Sequence, residues 1–318
     1  MKKLISLVLA AVMALSLVAC GSGSKDKDTD TGDKTYKVGV VQLVQHEALD
    51  AATKGFTDAL KEALGDKVEV VAKNASGDSN NCGTIVNGFI SDKVDLIMAN
   101  ATPALQAAAS ATSTIPILGT SVTDYATALE IADWTGTVGG NISGTSDLAP
   151  LDKQAAMLQE LFPNAKKVGM LFCSSEPNSK YQVDEVTKLL SAAGITCTEY
   201  TFTDSNDVSS VTQKACDDSD VLYIPTDNTA ASNTEAIANV VLAAGTPVIA
   251  GEAGICRGCG VATLSIDYYE LGKITGQMAA KILTGEADIS TMPVEFAPTA
   301  TKQANMANCE KLGITVPA

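Results

Sequence analysis

Residues 37–64 read KVGVVQLVQHEALDAATKGFTDALKEAL. An apolar run, Lys37–Val44, is followed by three polar residues and then by apolar residues at helical spacing over Leu49–Leu64. A continuous apolar strand that leads into an amphipathic helix is typical of a parallel sheet covered by helices on both faces. We therefore predict a βα unit here, with the loop Gln45-His46-Glu47 at the carboxyl end of the strand.

The same pattern recurs along the chain about every 25–30 residues, as in βαβ crossovers, and predicts the α/β fold class. The predicted strands are Lys37–Val44, Val68–Lys73, Val94–Ala99, Pro116–Ser121, Asn141–Gly144, Lys167–Phe172, Thr196–Phe202, Val221–Ile224, Pro247–Ala250 and Gly260–Ile266. The predicted helices include Leu49–Leu64, Thr84–Ser91, Asp152–Phe162, Gln182–Ala192, Thr234–Ala244 and Tyr269–Leu283.

The repeat is interrupted between Tyr125 and Gly140 and starts again at Asn141. This interruption favours two similar lobes with parallel sheets, joined by a hinge near residues 140–146. We expect the helix Tyr269–Leu283 to cross back to the first lobe. The predicted lobes are residues 36–143 plus 268–287 and residues 144–267 plus 288–318.

The first 35 residues predict a location on the cell surface. A basic start and an apolar run up to Ala19 predict a signal peptide over residues 1–19, too short to span a membrane. Leu17-Val18-Ala19-Cys20-Gly21 resembles a bacterial lipobox, which implies that Cys20 carries a lipid on the extracytoplasmic face of the membrane. Residues 20–35 lack the apolar side chains needed for packing and are predicted to form a flexible tether.

The charge balance excludes several classes of function. The 318 residues contain 22 Lys and Arg against 37 Asp and Glu, a net charge of −15, which is unsuited to binding nucleic acid. Arg257 and His46 are the single arginine and histidine of the sequence, so arginine clamps and multi-histidine zinc sites are excluded. We expect no metal, no cofactor and a monomeric chain.

The loops after the predicted strands carry carboxylates, amides and hydroxyls but no cation. Ligands of such sheets bind beyond the carboxyl ends of the strands, so the cleft suits a ligand with hydrogen-bond donors or an ammonium group. Asp267 or Asp227 would bind the ammonium group. A ligand carboxylate would bind hydroxyls and helix N-termini near Thr102 and Ser121. Each of these residues could instead be only a helix N-cap.

Five motifs resemble the tryptophan/tyrosine-type family of ABC transporter substrate-binding proteins. They are VVQLVQHEALDAATKGF (residues 40–56), NATPALQAA (100–108), SDLAPLDKQ (146–154), PTDNT (225–229) and IDYYELG (266–272). The resemblance implies a type I periplasmic-binding-protein fold, in which two Rossmann-like lobes close over a ligand. It also implies an ABC permease as partner and an aromatic amino acid (Trp, Tyr or Phe) as ligand. It also implies that the following residues face the cleft: His46, Glu47, Thr102, Ser121, Thr123, Asp147, Asn178, Thr226, Asp227, Asn228, Glu252 and Asp267. Aromatic contacts would have to come from few residues: Tyr125, Trp134, Phe172, Tyr181 or Tyr268.

Several alternatives stay open at this point. The ligand could be another amino acid, a nucleoside or a sugar, and the protein could be a surface receptor without a transporter. An extracytoplasmic hydrolase has little support, because the sequence has no G-x-S-x-G motif or P-loop and His46 is its single imidazole. We therefore predict a protein that is not an enzyme. The pair Cys256 and Cys259 could be a local disulfide, two reduced thiols, a redox pair or half of a metal site.

Overall fold

The computed structural model describes residues 34–315, which from Thr35 onward form one compact unit. The predicted signal peptide, the lipidation site Cys20 and most of the predicted tether lie outside the described residues. Among residues 34–315, no helix combines the length and the apolar character needed to cross a membrane.

Two six-stranded sheets form the framework, and they confirm the predicted α/β fold class with two parallel-dominated sheets. The strands are β1 Tyr36–Gln42, β2 Val68–Asn74, β3 Leu96–Asn100, β4 Ile117–Val122, β5 Ile142–Ser146, β6 Lys167–Cys173, β7 Thr196–Phe202, β8 Val221–Ile224, β9 Val248–Ala250, β10 Ala262–Ile266, β11 Glu295–Phe296 and β12 Ala300–Ala304. The first sheet is ordered β11-β5-β4-β3-β1-β2 and the second β12-β10-β9-β8-β6-β7. All pairs are parallel except β10 with β12.

Helices follow most strands and cover both faces of the sheets. They are α1 Glu47–Leu64, α2 Ser79–Ser91, α3 Thr102–Ala111, α4 Tyr125–Ala128, α5 Leu151–Leu161, α6 Pro177–Ala192, α7 Val208–Asp218, α8 Asn228–Ser232, α9 Thr234–Ala244, α10 Ala253–Gly258, α11 Tyr268–Leu283 and α12 Met306–Leu312. Short 3-10 helices lie at Gly65–Lys67 and Ile289–Thr291. The central strands β3 and β4 are buried along their whole length, as expected for strands covered on both faces.

The long helix α11 packs along α1, which follows the first strand of the first sheet. Glycines allow the two backbones to approach closely, because a Cβ at Gly272 would lie 2.7 Å from the carbonyl carbon of Ala52. A Cβ at Gly55 would lie 3.0 Å from the carbonyl carbon of Tyr269. Met278 of α11 joins the same apolar cluster as strand residues of β1 and β3.

The strand pairing places the crossings between the lobes differently from the sequence-based boundaries. The predicted boundary at 143/144 would divide β5, which pairs with β4 up to Ser146. The predicted assignment of residues 288–318 to the second lobe would separate β11 from β5, its partner in the first sheet. We therefore assign residues 35–146 and 268–296 to the first lobe and residues 151–266 and 300–315 to the second. The three connecting segments are 147–150, 267 and 297–299.

Candidate functional site

Asp147 is the first residue of the connection that leaves the first sheet, and its side chain is buried, with 2% of its surface exposed. Its carboxylate accepts hydrogen bonds from Thr123 Oγ1 at 3.0 Å and from the Tyr268 hydroxyl at 2.8 Å. Burial raises the pKa of Asp147, and the nearby charge of Glu252 raises it further. The side chain is therefore held in place by two hydroxyls, but its negative charge is not balanced by them.

Glu252 of the second lobe is a second buried carboxylate, with 2% exposed. It caps α10, accepting the backbone N–H of Gly254 at 2.6 Å and that of Ile255. Burial raises the pKa of Glu252, and the charges of His46 and Arg257 act against this shift. Within residues 34–315 no ion pair joins Asp147 or Glu252 to a lysine or arginine. Because a buried charge is costly unless paired, this pair of carboxylates favours a cationic ligand group.

Three predicted site residues carry buried polar atoms that find no hydrogen-bond partner in the described part of the chain. They are Thr102 Oγ1, Ser121 Oγ and Asn178 Oδ1. Buried polar atoms are nearly always paired in folded proteins, so these atoms are candidates for contact with a ligand. Thr102 begins α3, whose N-terminal N–H groups favour an anion. Ser121 has φ +53°, a strained conformation for a residue other than glycine.

A polar network within the second lobe orders Asn178 and two further predicted residues, Asp227 and Asn228. Glu176, which sequence reasoning did not select, accepts hydrogen bonds from the side chain of Asn178 at 3.1 Å and from the side chain of Asn228 at 2.7 Å. Asp227 is 1% exposed and accepts from the N–H groups of Cys173 and Ala230, both at 2.7 Å. The carboxylates of Glu176 and Asp227 thus hold this end of the sheet together, and Asp227 is not free to bind an ammonium group.

The titration of Asp227 predicts how stability depends on pH. Burial, followed by the charge of Glu176, raises the pKa of Asp227 to about 8, against about 3.9 in an unfolded chain. Between these values the folded state binds a proton that the unfolded state does not. This contribution to stability is therefore fully present below about pH 4 and lost as the pH rises to about 8. We expect the free energy of unfolding of the ligand-free protein to rise as the pH falls from 8 to 5.

Urea denaturation at several pH values checks this expectation. The substitution Asp227→Asn should make the free energy of unfolding depend less on pH. Exposed carboxylates whose pKa is lowered by their partners, such as Asp218 and Asp220, titrate below this window. A stability that is constant or rises with pH between 5 and 8 would contradict the assignment.

The remaining predicted residues lie at the edge of the cleft or form hydrogen bonds through their backbone groups. His46 precedes α1 and its Nε2 lies 3.1 Å from Asn228 Oδ1, and Glu47 forms an ion pair with Arg257 of the second lobe. The carbonyl of Thr226 accepts from Asn178 at 3.2 Å.

Asp267 is exposed and caps α11, accepting the N–H groups of Tyr269 at 2.9 Å and Glu270 at 3.1 Å. Asp267 therefore acts as a helix N-cap, which is the alternative that the sequence left open.

The aromatic residues divide into buried and peripheral ones. Tyr268 and Tyr125 are buried, and the Tyr125 hydroxyl donates to the carbonyl of Thr145 at 3.1 Å. Trp134 stacks on Tyr125 with ring centroids 6.4 Å apart and remains 36% exposed. Tyr181 of the second lobe is half-buried. Burial is the main cause that raises the pKa of Tyr181, and the charge of Asp124 in the first lobe raises this pKa further.

The two cysteines of the C-x-x-C motif are buried thiols at the end of α10 and form no disulfide within the described residues. Burial raises the pKa of Cys256 to about 12 and raises that of Cys259 as well. A reactive redox pair requires the opposite shift, so this structure matches the reduced-thiol alternative.

Two lobes that close over buried polar groups, joined by three connections, define a type I periplasmic binding protein. The sequence profile of ABC transporter substrate binding proteins matches residues 37–318. A tyrosine-binding protein of Clostridioides difficile (strain R20291) is 36% identical over 302 residues, covering 92% of this chain and 87% of the relative. The chain therefore belongs to the family of ABC transporter substrate-binding proteins, as its motifs predict.

Two solved structures show which arrangement of the lobes this chain resembles. The L-Trp complex of an ABC domain from Streptococcus pneumonia matches with a TM-score of 0.85 at 32% identity, covering 89% of this chain and 96% of that one. The ligand-free, open structure of a substrate-binding protein with adhesive properties from Clostridium difficile matches with a TM-score of 0.68 at 38% identity, covering 89% and 97%. The chain thus superposes better on the ligand complex, although its sequence is nearer to the open protein.

Proposed function

We propose that the protein is an extracytoplasmic solute-binding lipoprotein of an ABC importer, which binds an aromatic amino acid and delivers it to the permease. The buried carboxylates of Asp147 and Glu252, with no lysine or arginine paired to them in residues 34–315, carry this proposal. A tyrosine-binding relative and a similar protein in complex with L-Trp support the choice of ligand. The predicted lipid at Cys20 would hold the protein at the membrane.

Both charged groups of an amino acid have complementary partners in this site. The ammonium group would bind between Asp147 and Glu252, as a charge-assisted hydrogen-bond donor to both. The carboxylate would bind the hydroxyls of Thr102 and Ser121 and the N–H groups at the start of α3. The ring of the ligand would pack against buried tyrosines, with Tyr268 beside Asp147 the first candidate.

The same carboxylates would couple ligand binding to closure of the lobes. Asp147 is bonded to Thr123 of the first lobe, whereas Glu252 belongs to the second, so closing the lobes brings two negative charges together. An ammonium group between them replaces this repulsion by attraction to both. The ligand then has a higher affinity for the closed form, which is what a shift of the equilibrium requires. We propose that the closed form is the one that docks on the permease.

Thermal unfolding of residues 35–318 with a panel of compounds tests the proposal. The panel contains Trp, Tyr, Phe, the other amino acids, common nucleosides and pentoses. A ligand at 100 times its Kd adds about 2.7 kcal/mol, which raises the Tm by several degrees for a chain of this size. We expect a shift with aromatic amino acids only. A shift with a nucleoside or sugar alone would overturn the ligand assignment while retaining the transport role.

A further inference from the structure

We propose that His46 and Glu47 are positioning residues that hold the two lobes closed, together with Asn228 and Arg257, and do not contact the ligand. We call these four residues the interlobe clasp. The proposal rests on the proposed function, because it assigns to the clasp the rate at which a bound amino acid leaves. It differs from the expectation drawn from the sequence, which places His46, Glu47 and Asn228 among the ligand contacts.

The first half of the clasp is a two-point ion pair between the lobes. Glu47 is the first residue of α1, and its two carboxylate oxygens accept from Arg257 Nε at 2.9 Å and from Arg257 Nη2. Arg257 is anchored in the second lobe, where its carbonyl accepts from Asn305 Nδ2 at 2.8 Å and its Nη1 lies 3.4 Å from Gln303 Oε1. A guanidinium that binds a carboxylate at two points fixes direction as well as distance.

The second half of the clasp is a hydrogen bond from the neighbouring residue, His46. Glu176 accepts the backbone N–H of Asn228 at 2.9 Å and its side-chain NH₂ group at 2.7 Å. This leaves Asn228 Oδ1 as the acceptor for His46 Nε2 at 3.1 Å. Glu176 and Asn228 are 3% and 8% exposed, so the acceptor is set in place by the second lobe itself. The N-terminus of α1 thus contacts two side chains, those of Arg257 and Asn228, which residues of the second lobe hold in position.

The position of the clasp favours a role in closure. The side chains of Glu47 and Arg257 are 59% and 51% exposed, so they lie at the rim and not among the buried groups. Cavities of about 290 Å³ and about 390 Å³ are each lined by Glu47, Arg257 and Glu252, so the ion pair spans a groove that leads to the buried carboxylate. Separation of the lobes must break both halves of the clasp. No part of the clasp would have to touch the ligand to slow its release.

Dissociation kinetics of L-tyrosine, L-tryptophan and L-phenylalanine from residues 35–318 test the proposal. An exposed ion pair contributes little, so Arg257→Gln should raise koff about two- to fivefold. His46→Ala should raise it by a similar factor, and the double variant about tenfold. A clasp stabilises closure whatever the ligand, so each factor should be the same for the three amino acids. The charge swap Glu47→Arg with Arg257→Glu should restore much of the wild-type rate.

A matched control is Lys214→Gln, which removes an exposed ion pair with Asp218 within α7 and should leave koff unchanged. In about 1 M salt the wild type should approach Arg257→Gln, because exposed charges are then screened. A variant that changes the preference among the three amino acids would show that the residue contacts the ligand, and would overturn the proposal. Unchanged koff in both single variants would also overturn it.

A measurement without ligand separates this proposal from the proposed function. Small-angle X-ray scattering of the ligand-free protein should give a larger radius of gyration for the double variant than for the wild type at low salt. If none of the three amino acids binds, the proposed ligand is wrong, and the scattering comparison alone tests the clasp. Equal radii for wild type and double variant would then overturn the clasp.

Discussion

Asp147→Asn should lower the affinity for an aromatic amino acid on the order of 100-fold, about 3 kcal/mol, without unfolding the protein. The substitution removes the charge that the ligand's ammonium group would neutralise, and leaves Glu252 as its single buried carboxylate partner. Isothermal titration of wild type and variant with L-tyrosine measures the change. An affinity within threefold of wild type would contradict the assigned role of Asp147.

The ligand-free variant should be at least as stable as the wild type, which separates lost binding from lost folding. The partners of Asp147 are the hydroxyls of Thr123 and Tyr268, and each can donate or accept, so an amide remains satisfied. Because burial raises the pKa of Asp147, the folded state disfavours its charged form, and a neutral group there stabilises the fold. Thermal unfolding without ligand should therefore show an equal or higher Tm. A lower Tm would mean that the carboxylate has a structural role.

Two control variants accompany Asp147→Asn. Asp78→Asn changes an exposed carboxylate that caps α2, accepting the N–H of Asn80 at 2.8 Å, and should alter neither affinity nor fold. Asp267→Asn decides between two roles of Asp267: the ammonium-binding role expected from the sequence and the role of helix N-cap seen in the structure. Asn caps a helix as well as Asp does, and Asp267 is exposed. We therefore expect a much smaller loss of affinity than with Asp147→Asn.

The sequence predicted the fold because hydrophobic periodicity records burial directly. Strands such as β1, β6 and β8 lie where apolar runs indicate them, and the return of α11 to the first lobe could be predicted from its position after β10. The strand β11 was missed because Glu295–Phe296 is only two exposed residues long. Its pairing with β5 depends on a contact between distant parts of the chain, which local sequence does not encode.

The candidate site was predicted less well, because the same residue types cap helices and bind ligands. Asp227, Glu252 and Asp267 all accept N–H groups at the start of a helix. Asp267 differs from the other two by its exposure, and Asp227 differs from Glu252 because it also accepts the N–H group of Cys173 in a neighbouring strand. Glu176 was missed although a signal was present, since a proline at the first helical position marks a helix start, here that of α6, and Glu176 directly precedes Pro177. Whether the buried hydroxyls of Thr102 and Ser121 find a hydrogen-bond partner depends on the three-dimensional packing around them, and no local sequence pattern shows that.

Gly272→Ala should destabilise the protein by about 3 kcal/mol or more, because it adds a methyl group where α11 and α1 are in backbone contact. The nearest atoms are the carbonyl group and Cα of Ala52, the latter 2.8 Å from the added Cβ. Backbone atoms of a helix cannot rotate away as a flexible side chain can, so the two helices must separate. The Tm should fall on the order of 5–10 °C for a chain of this size.

Gly83→Ala is the matched control for this helix contact. Gly83 lies within α2, and a Cβ there would meet no atom within 4 Å. The substitution should raise stability by about 0.4–1 kcal/mol, because alanine loses less backbone entropy in a helix than glycine. The two variants make the same chemical change and are expected to have opposite effects on the Tm. Since α11 begins with Tyr268, whose hydroxyl donates to Asp147, Gly272→Ala should also weaken ligand binding, whereas Gly83→Ala should not. Equal Tm values for the two variants would show that the contact between α1 and α11 can relax without cost.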